Sequence, residues 1–195
     1  FGKLEDIQKL ISENDTENVN SIIYMFYSCN NITSIPLLNT SKVTNMSNAF
    51  AKCTNITSIP LLNTSKVTNI SSTFLECSNL IELPLFDFSS VTNIQTSFNN
   101  CNKLIRIPSY NFSNVTNTVF AFDGCGALKE FLPTGLKVSF DLSKSRQFKR
   151  TNLVTVLNNL GTPSTTQTLT IGSTNLAKLT EEDIAIATQK NWTLK

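Results

Sequence analysis

Apolar positions in the first two thirds of the chain recur with a period of 24 residues. Each period holds a phenylalanine, a cysteine three positions later, and an isoleucine or leucine three positions after the cysteine. The phenylalanines are Phe26, Phe50, Phe74, Phe98 and Phe122, and the cysteines are Cys29, Cys53, Cys77, Cys101 and Cys125. Repeats of this length are typical of architectures in which each unit buries its apolar face against its neighbours. We therefore assign these ten side chains to the structural core.

Within one repeat, two apolar patterns follow each other. Ile32, Ile35 and Leu37 match the L-x-x-L-x-L strand of a leucine-rich repeat. After the turn residues at 39–41, apolar side chains follow at steps of three, four and three, the spacing of one helix face: Val43, Met46, Phe50 and Cys53. A proline inside each strand segment predicts very short or irregular strands, because proline cannot donate a ladder hydrogen bond.

These patterns predict an α/β fold, namely a leucine-rich repeat solenoid of about five 24-residue repeats with a mixed β-α-β-α-β C-terminal cap. We expect an N-terminal helical cap or linker over 1–14, the solenoid over 15–133, and a cap over 134–195 that is continuous with it. In the cap, alternating residues predict strands within 136–142, 167–171 and 192–194, and apolar spacing predicts a helix within 147–160. The capping box that starts at Thr180 predicts a second helix, which extends to about Gln189.

Composition narrows the possible functions. The chain has 16 Lys and Arg against 14 Asp and Glu, with a net charge of +2 and no basic run, which argues against a nucleic-acid surface. It contains no histidine, which removes the commonest general base and metal ligand. We expect no catalytic residues, no metal site and no cofactor. No apolar run is long enough to span a membrane, and since the chain starts at Phe1 rather than Met, we expect a piece of a longer protein.

The five cysteines have two interpretations. A redox or metal role would need paired cysteines or nearby histidines, and the chain has one cysteine per repeat and no histidine. Neighbouring repeats packed at the usual helix distance of about 8–10 Å would also be too far apart for disulfides, which need Cα atoms about 4.4–6.8 Å apart. We therefore predict buried, reduced thiols in the core.

A candidate ligand-binding face lies on the expected outward side of the strands. One row of positions there changes from repeat to repeat while the core positions stay constant: Ser34, Ser58, Glu82, Arg106 and Glu130. Aromatic residues follow just past the strand at Phe86 and Tyr110, with Phe88 and Phe112 two positions further on. Exposed aromatics beside hydroxyl groups would suit sugar rings or a protein partner. The alternative is that these aromatics thicken the core near the cap.

The repeat pattern resembles that of the BspA-like leucine-rich repeat surface proteins. The resemblance is carried by LLNTSKVTNMSNAFAKC at 37–53, LFDFSSVTNIQTSFNNC at 85–101, and the closing segment QTLTIGSTNLAKLTEEDIAIATQKNWTL at 167–194. The closing segment is similar to the one common in such proteins of Gram-positive bacteria and their phages. The resemblance implies adhesion at an extracellular, cell or virion surface, and it brings no catalytic residues with it.

We therefore expect a non-enzymatic recognition module, the distal host-binding domain of a phage tail fibre or similar particle, with a cell-surface polysaccharide or protein as its partner. The alternatives are a bacterial adhesin whose anchor lies outside this chain and a structural spacer. We expect localisation on a virion tail or a cell surface, no nucleic-acid partner, and homo-oligomerisation only through parts outside the chain.

Overall fold

The computed structural model describes residues 18–195. The predicted N-terminal cap or linker at 1–14 lies outside the described residues. The described part contains five short strands: β1 (Arg106–Ile107), β2 (Glu130–Phe131), β3 (Phe140–Asp141), β4 (Gln167–Thr170) and β5 (Trp192–Leu194). It contains three helices: α1 (Arg150–Asn159), α2 (Ser173–Leu176) and α3 (Glu181–Thr188).

The strands form two small parallel sheets. β1 pairs with β2 in register Arg106↔Glu130, and the second sheet has the order β3-β4-β5. Elsewhere in the described residues, strand-like pairing is limited to isolated parallel bridges, most of them between positions 24 residues apart. These bridges include Asn45↔Asn69 and Asn69↔Asn93.

The predicted leucine-rich repeat solenoid of strand-helix units is wrong. Between residues 18 and 105 the structure has neither a helix nor a strand, and all three described helices lie after residue 149. The fold is therefore not built from about five repeats that each contribute one strand and one helix. The 24-residue period is expressed as contacts between irregular, turn-built segments.

The predicted helix after each turn is a succession of tight turns. In the segment from Met46 to Cys53, alternate N–H groups close β-turns by donating to the carbonyl three residues earlier, as Ala49 N–H does to the Met46 carbonyl at 2.9 Å. The N–H groups between them donate to the next segment instead, such as Phe50 N–H to the Thr73 carbonyl at 3.0 Å. A helix would need every N–H to bond four residues back, so the sharing of donors between segments excludes it.

Left-handed backbone residues make these turns possible. Non-glycine residues with positive φ recur twice in each segment, and they are Tyr24, Ser28, Asn48, Lys52, Ser72, Glu76, Thr96, Asn100 and Phe120. Gly124 completes the series with φ 75°. Each such residue occupies the third position of one of these turns, as Asn48 does between Met46 and Ala49, so apolar side chains three and four positions apart still share one face without forming a helix.

Asparagine side chains close two further turns in most segments, and Asp87 takes the place of one of them. The Asn69 side-chain oxygen accepts a hydrogen bond from Ser71 N–H at 2.9 Å, and Asn63 accepts one from Ser65 N–H at 3.2 Å. Equivalent bonds recur at Asn45, Asn93 and Asn117. These bonds explain the high asparagine content of the repeats, since Asn side chains stabilise turns of this kind.

The core is a stack of phenylalanine rings. The rings of Phe50, Phe74 and Phe98 are fully buried, and neighbouring centroids lie 5.7–5.8 Å apart at interplanar angles of 12–16°. Phe26 and Phe122 continue the stack at centroid distances of 5.4 and 5.6 Å. Apolar burial on this scale is the main stabilising contribution to such a fold.

The five cysteines lie beside this stack as buried residues. The Cys53 thiol donates to the Phe26 carbonyl at 2.9 Å, and the Cys77 thiol donates to the Phe50 carbonyl at 3.1 Å. Cys101 and Cys125 make the same bond, both at 3.0 Å, to the carbonyls of Phe74 and Phe98. Each thiol thus links its own segment to the preceding phenylalanine.

After the proline of each segment, the buried side chain lies one position later than predicted. Leu37, which the strand template places in the core, is 70% exposed, whereas its neighbour Leu38 is buried. Leu61 and Leu62 show the same arrangement in the next segment. Because the segment is not a regular strand, alternation of faces does not carry across the proline, and the leucine-rich repeat template is wrong at this point.

The C-terminal elements lie close to where the sequence predicts them, with the short helix α2 in addition. The capping box is present: the Thr180 hydroxyl accepts from Asp183 N–H, and the Asp183 carboxylate accepts from Thr180 N–H. Asp183 also receives two hydrogen bonds from the Arg150 guanidinium, at 2.7 and 2.9 Å, which tie α3 to α1. The Trp192 ring is buried and packs edge-on against Phe140 of β3.

The phase at the leucine pair gives a stability prediction. Leu62→Ala should lower the free energy of unfolding by about 2–5 kcal/mol, because it removes a buried side chain. Leu61→Ala should change it by less than about 0.5 kcal/mol, because that side chain is exposed. Urea denaturation followed by circular dichroism measures both. Equal losses in the two variants would contradict the observed phase.

The buried thiols give a pH prediction. Burial raises the pKa of Cys53 and of Cys125 to about 12, against an ordinary value of about 8.5. The folded protein therefore holds protons that the unfolded chain releases, so stability is full below about pH 8.5 and falls as pH rises toward about 12. Urea denaturation between pH 7 and pH 10.5 should show this decline in the free energy of unfolding.

The matched control for the pH prediction is the double variant Cys53→Ser, Cys125→Ser. It keeps a hydrogen-bond donor at each site and removes the two titrating groups, so its stability should fall less steeply above pH 8.5. The same decline in the wild type and the double variant would show that these thiols do not cause it.

Candidate functional site

The predicted outward row lies on the surface. Ser34, Ser58, Glu82 and Arg106 are exposed, and Glu130 is partly exposed. The Arg106 guanidinium and the Glu130 carboxylate form an ion pair at 3.3 Å, which follows from the pairing of β1 with β2. A shallow recess of about 290 Å³ lies between Ser58 and Glu82. The five row positions thus all reach the surface, with a recess beside Ser58 and Glu82 and an ion pair between Arg106 and Glu130.

The prediction that Phe86 and Tyr110 belong to this outward face is wrong. Both side chains are buried, and the Tyr110 hydroxyl donates to the Pro84 carbonyl at 2.8 Å. Burial raises the pKa of Tyr110 far above its ordinary value. The ring of Phe88 lies 4.7 Å from that of Tyr110, and Phe112 is buried with them. The alternative interpretation, in which these aromatics thicken the core, agrees with this packing.

A larger depression lies where the last turn-built segment meets the C-terminal sheet. We call it the terminal groove, and its volume is about 480 Å³. Its lining residues are Thr118, Val119, Phe120, Ala121, Asp123, Ser139, Phe140, Asp141, Lys144, Thr168 and Thr170. The volume lies within the range of about 300–1,000 Å³ that is typical of small-molecule sites.

The terminal groove exists because two stretches of chain separate between two points of contact. At one end the Thr118 hydroxyl donates to the Ser139 carbonyl at 2.5 Å. At the other end the Ser145 hydroxyl donates to the Cys125 carbonyl at 2.9 Å. Between these two bonds, residues 119–123 form one wall and residues 140–144 form the other. Hydrogen bonds between the walls therefore close the groove at both ends.

The separation leaves a backbone donor without a partner. In earlier segments the N–H groups of Asn48, Ser72 and Thr96 each donate to the carbonyl of a residue 23 positions later. Phe120 occupies the same repeat position, but its N–H donates to no acceptor among residues 18–195. Donors left unpaired at the end of a backbone ladder are available to a ligand.

Phe120 is an exposed aromatic residue in one of the recurring left-handed turn positions. It has a φ of 53°, and its side chain is 64% exposed. Tyr24 combines the same backbone conformation with 57% exposure, whereas the equivalent residues of the three segments between them are polar.

The polar lining of the terminal groove carries charges of both signs. Asp123 and Asp141 supply carboxylates and Lys144 supplies an ammonium group, and none of the three belongs to an ion pair in the described part of the chain. One Asp141 oxygen accepts from Ser143 N–H at 2.6 Å, which holds the carboxylate at the rim. Thr168 and Thr170 alternate with the buried Leu169 along β4, so they lie on its groove face.

The sequence carried a signal for the terminal groove that the repeat template concealed. At the repeat positions of Val119 and Phe120, the three preceding segments have the polar pairs Ser47-Asn48, Ser71-Ser72 and Gln95-Thr96. The first segment has Ile23-Tyr24 at these positions, so large side chains here distinguish the two end copies of the repeat from its three middle copies. Sequence comparison could have singled out this pair, although the facing wall comes from residues about 20 to 50 positions later.

No helix in the described residues is long and apolar enough to cross a membrane. Comparison with curated proteins yields no match to this chain, and comparison with solved structures likewise yields none. A protein-family model does match, over residues 1–104 and again over residues 22–135, which together cover more than half of the chain. The protein therefore belongs to the family described as "Mycoplasma protein of unknown function, DUF285".

Proposed function

We propose that this chain is a non-enzymatic recognition module that binds a polysaccharide or a protein on a cell surface. The observation that carries the proposal is the terminal groove, an open site of about 480 Å³ with an exposed aromatic ring, charged groups and hydroxyl groups along its walls. Such a mixture of apolar and directional polar groups suits binding. The resemblance to BspA-like surface proteins supports the same function.

The resemblance is compatible with two kinds of protein that would contain such a module: a phage tail fibre and a bacterial surface adhesin. The family description names Mycoplasma proteins, and this favours a protein of the bacterial cell over a component of a virion. In both cases the chain would act by binding, with its anchor or assembly partner outside the chain.

A cell-binding assay tests the proposed function. The fluorescently labelled chain is titrated onto a panel of Gram-positive, mycoplasma and cultured animal cells, at low and high salt. We expect saturable binding to at least one cell type, and we expect it to disappear when surface polysaccharide or surface protein is removed enzymatically. The heat-unfolded chain is the control for adhesion that does not depend on the fold.

The alternative to recognition is a structural spacer, which predicts no saturable binding to any cell type. Binding that high salt abolishes completely would also count against the proposal, because it would reflect only the weak positive charge of the chain. Release of labelled surface polymer during the assay would point to catalysis and would contradict the non-enzymatic assignment.

A further inference from the structure

We propose that the terminal groove binds a short saccharide, with Phe120 stacking on a sugar ring and Asp123 accepting hydrogen bonds from its hydroxyl groups. This inference rests on the proposed function and names the class of ligand. A pyranose has two apolar C–H faces and a rim of hydroxyl groups, each of which both donates and accepts hydrogen bonds. A matching site therefore needs one flat apolar side chain and several polar groups of both kinds around it.

The terminal groove supplies the flat apolar side chain. The Phe120 ring is 64% exposed, and Val119 beside it is 51% exposed. The other phenylalanines of the preceding described segments are buried in the core stack or in the adjoining aromatic cluster. Phe120 is thus held outside the core, at the mouth of a cavity, by its left-handed backbone.

The terminal groove also supplies both kinds of polar group. Asp123 and Asp141 provide carboxylate acceptors, and Lys144 and the unpartnered Phe120 N–H provide donors. The hydroxyl groups of Thr168 and Thr170 can do either. Hydroxyl groups of a ligand would therefore meet one acceptor and one donor on each wall.

The closed ends of the terminal groove favour a compact ligand over an extended peptide. A peptide strand between the walls could pair with their backbone only over the short stretch between the Thr118–Ser139 and the Ser145–Cys125 hydrogen bonds. At about 3.3 Å per residue, a strand needs a continuous open edge to form several ladder bonds. A short saccharide, or the end of a polysaccharide chain, needs only the space between the two bonds.

The chain contains a matched control for Phe120. Tyr24 occupies the same repeat position, 96 residues earlier, and it shares the left-handed backbone with a φ of 56° and is 57% exposed. It does not line the terminal groove. For Asp123 the control is Glu181, an exposed carboxylate at the start of α3 that does not line the terminal groove.

The experiment is binding of the purified chain to an array of bacterial and animal glycans, followed by titration of the strongest hit as a free saccharide. Phe120→Ala and Asp123→Asn are compared with the controls Tyr24→Ala and Glu181→Gln. All four side chains lie away from the buried core, so we expect the variants to fold, and circular dichroism checks this. We expect Phe120→Ala to weaken binding by about tenfold or more and Tyr24→Ala to leave it unchanged.

NMR titration of the wild type with the same saccharide gives a second measurement that does not depend on variants. Amide shifts confined to Phe120, Asp123, Asp141 and Lys144 would support the inference. Shifts centred on Glu82 and Arg106 instead, or equal loss in Phe120→Ala and Tyr24→Ala, would overturn it.

The outcomes separate the inference from the proposed function. If the chain binds cells but binds no glycan on the array, the saccharide assignment is wrong and the proposed recognition function stands. The same holds if only peptides compete for the terminal groove. If no cell is bound, the proposed function fails, while a glycan that binds at Phe120 would still support the site.

Discussion

The hydrogen bonds between backbone segments 23 or 24 residues apart are the constraint on which the rest of this structure depends. Every second N–H group in the stretch from Met46 to Lys52 donates to a carbonyl of the next segment, as Phe50 does to Thr73 at 3.0 Å. An insertion or deletion within a segment would shift every one of these pairs. The 24-residue period is therefore maintained by the backbone, and the side chains must fit the spacing that it sets.

That spacing explains the composition of the core. Neighbouring segments place equivalent phenylalanines 5.4–5.8 Å apart, a distance at which aromatic rings stack favourably. A thiol at the cysteine position is small and can still donate a hydrogen bond to the carbonyl of the preceding phenylalanine, as Cys77 does to Phe50. The cysteines are thus explained by packing and hydrogen bonding, without metal binding or redox chemistry.

The same ladder accounts for the candidate site. Where the last turn-built segment meets the sheet of β3, β4 and β5, the described hydrogen bonds between it and the next stretch of chain lie only near Thr118 and near Cys125. Between these bonds the donor at Phe120 loses its partner, and a groove opens. The site is therefore a consequence of joining two kinds of structure, and in it Val119 and Phe120 replace the polar residues of the three preceding segments.

The sequence by itself determined the 24-residue period, the identity of the buried phenylalanines and cysteines, and the position of α3, whose capping box is a local signal. It did not determine the backbone of the repeats. Apolar residues at steps of three and four predict a helix, but consecutive turns with left-handed residues such as Asn48 and Lys52 bring the same side chains to one face. Whether a helix or a series of turns forms depends on N–H partners in another segment, and no local pattern contains that information.

Two other features were likewise decided only by the tertiary structure: the exposure of Leu37 instead of Leu38, and the placement of Phe120 opposite Asp141 and Lys144. Each depends on contacts between distant parts of the chain.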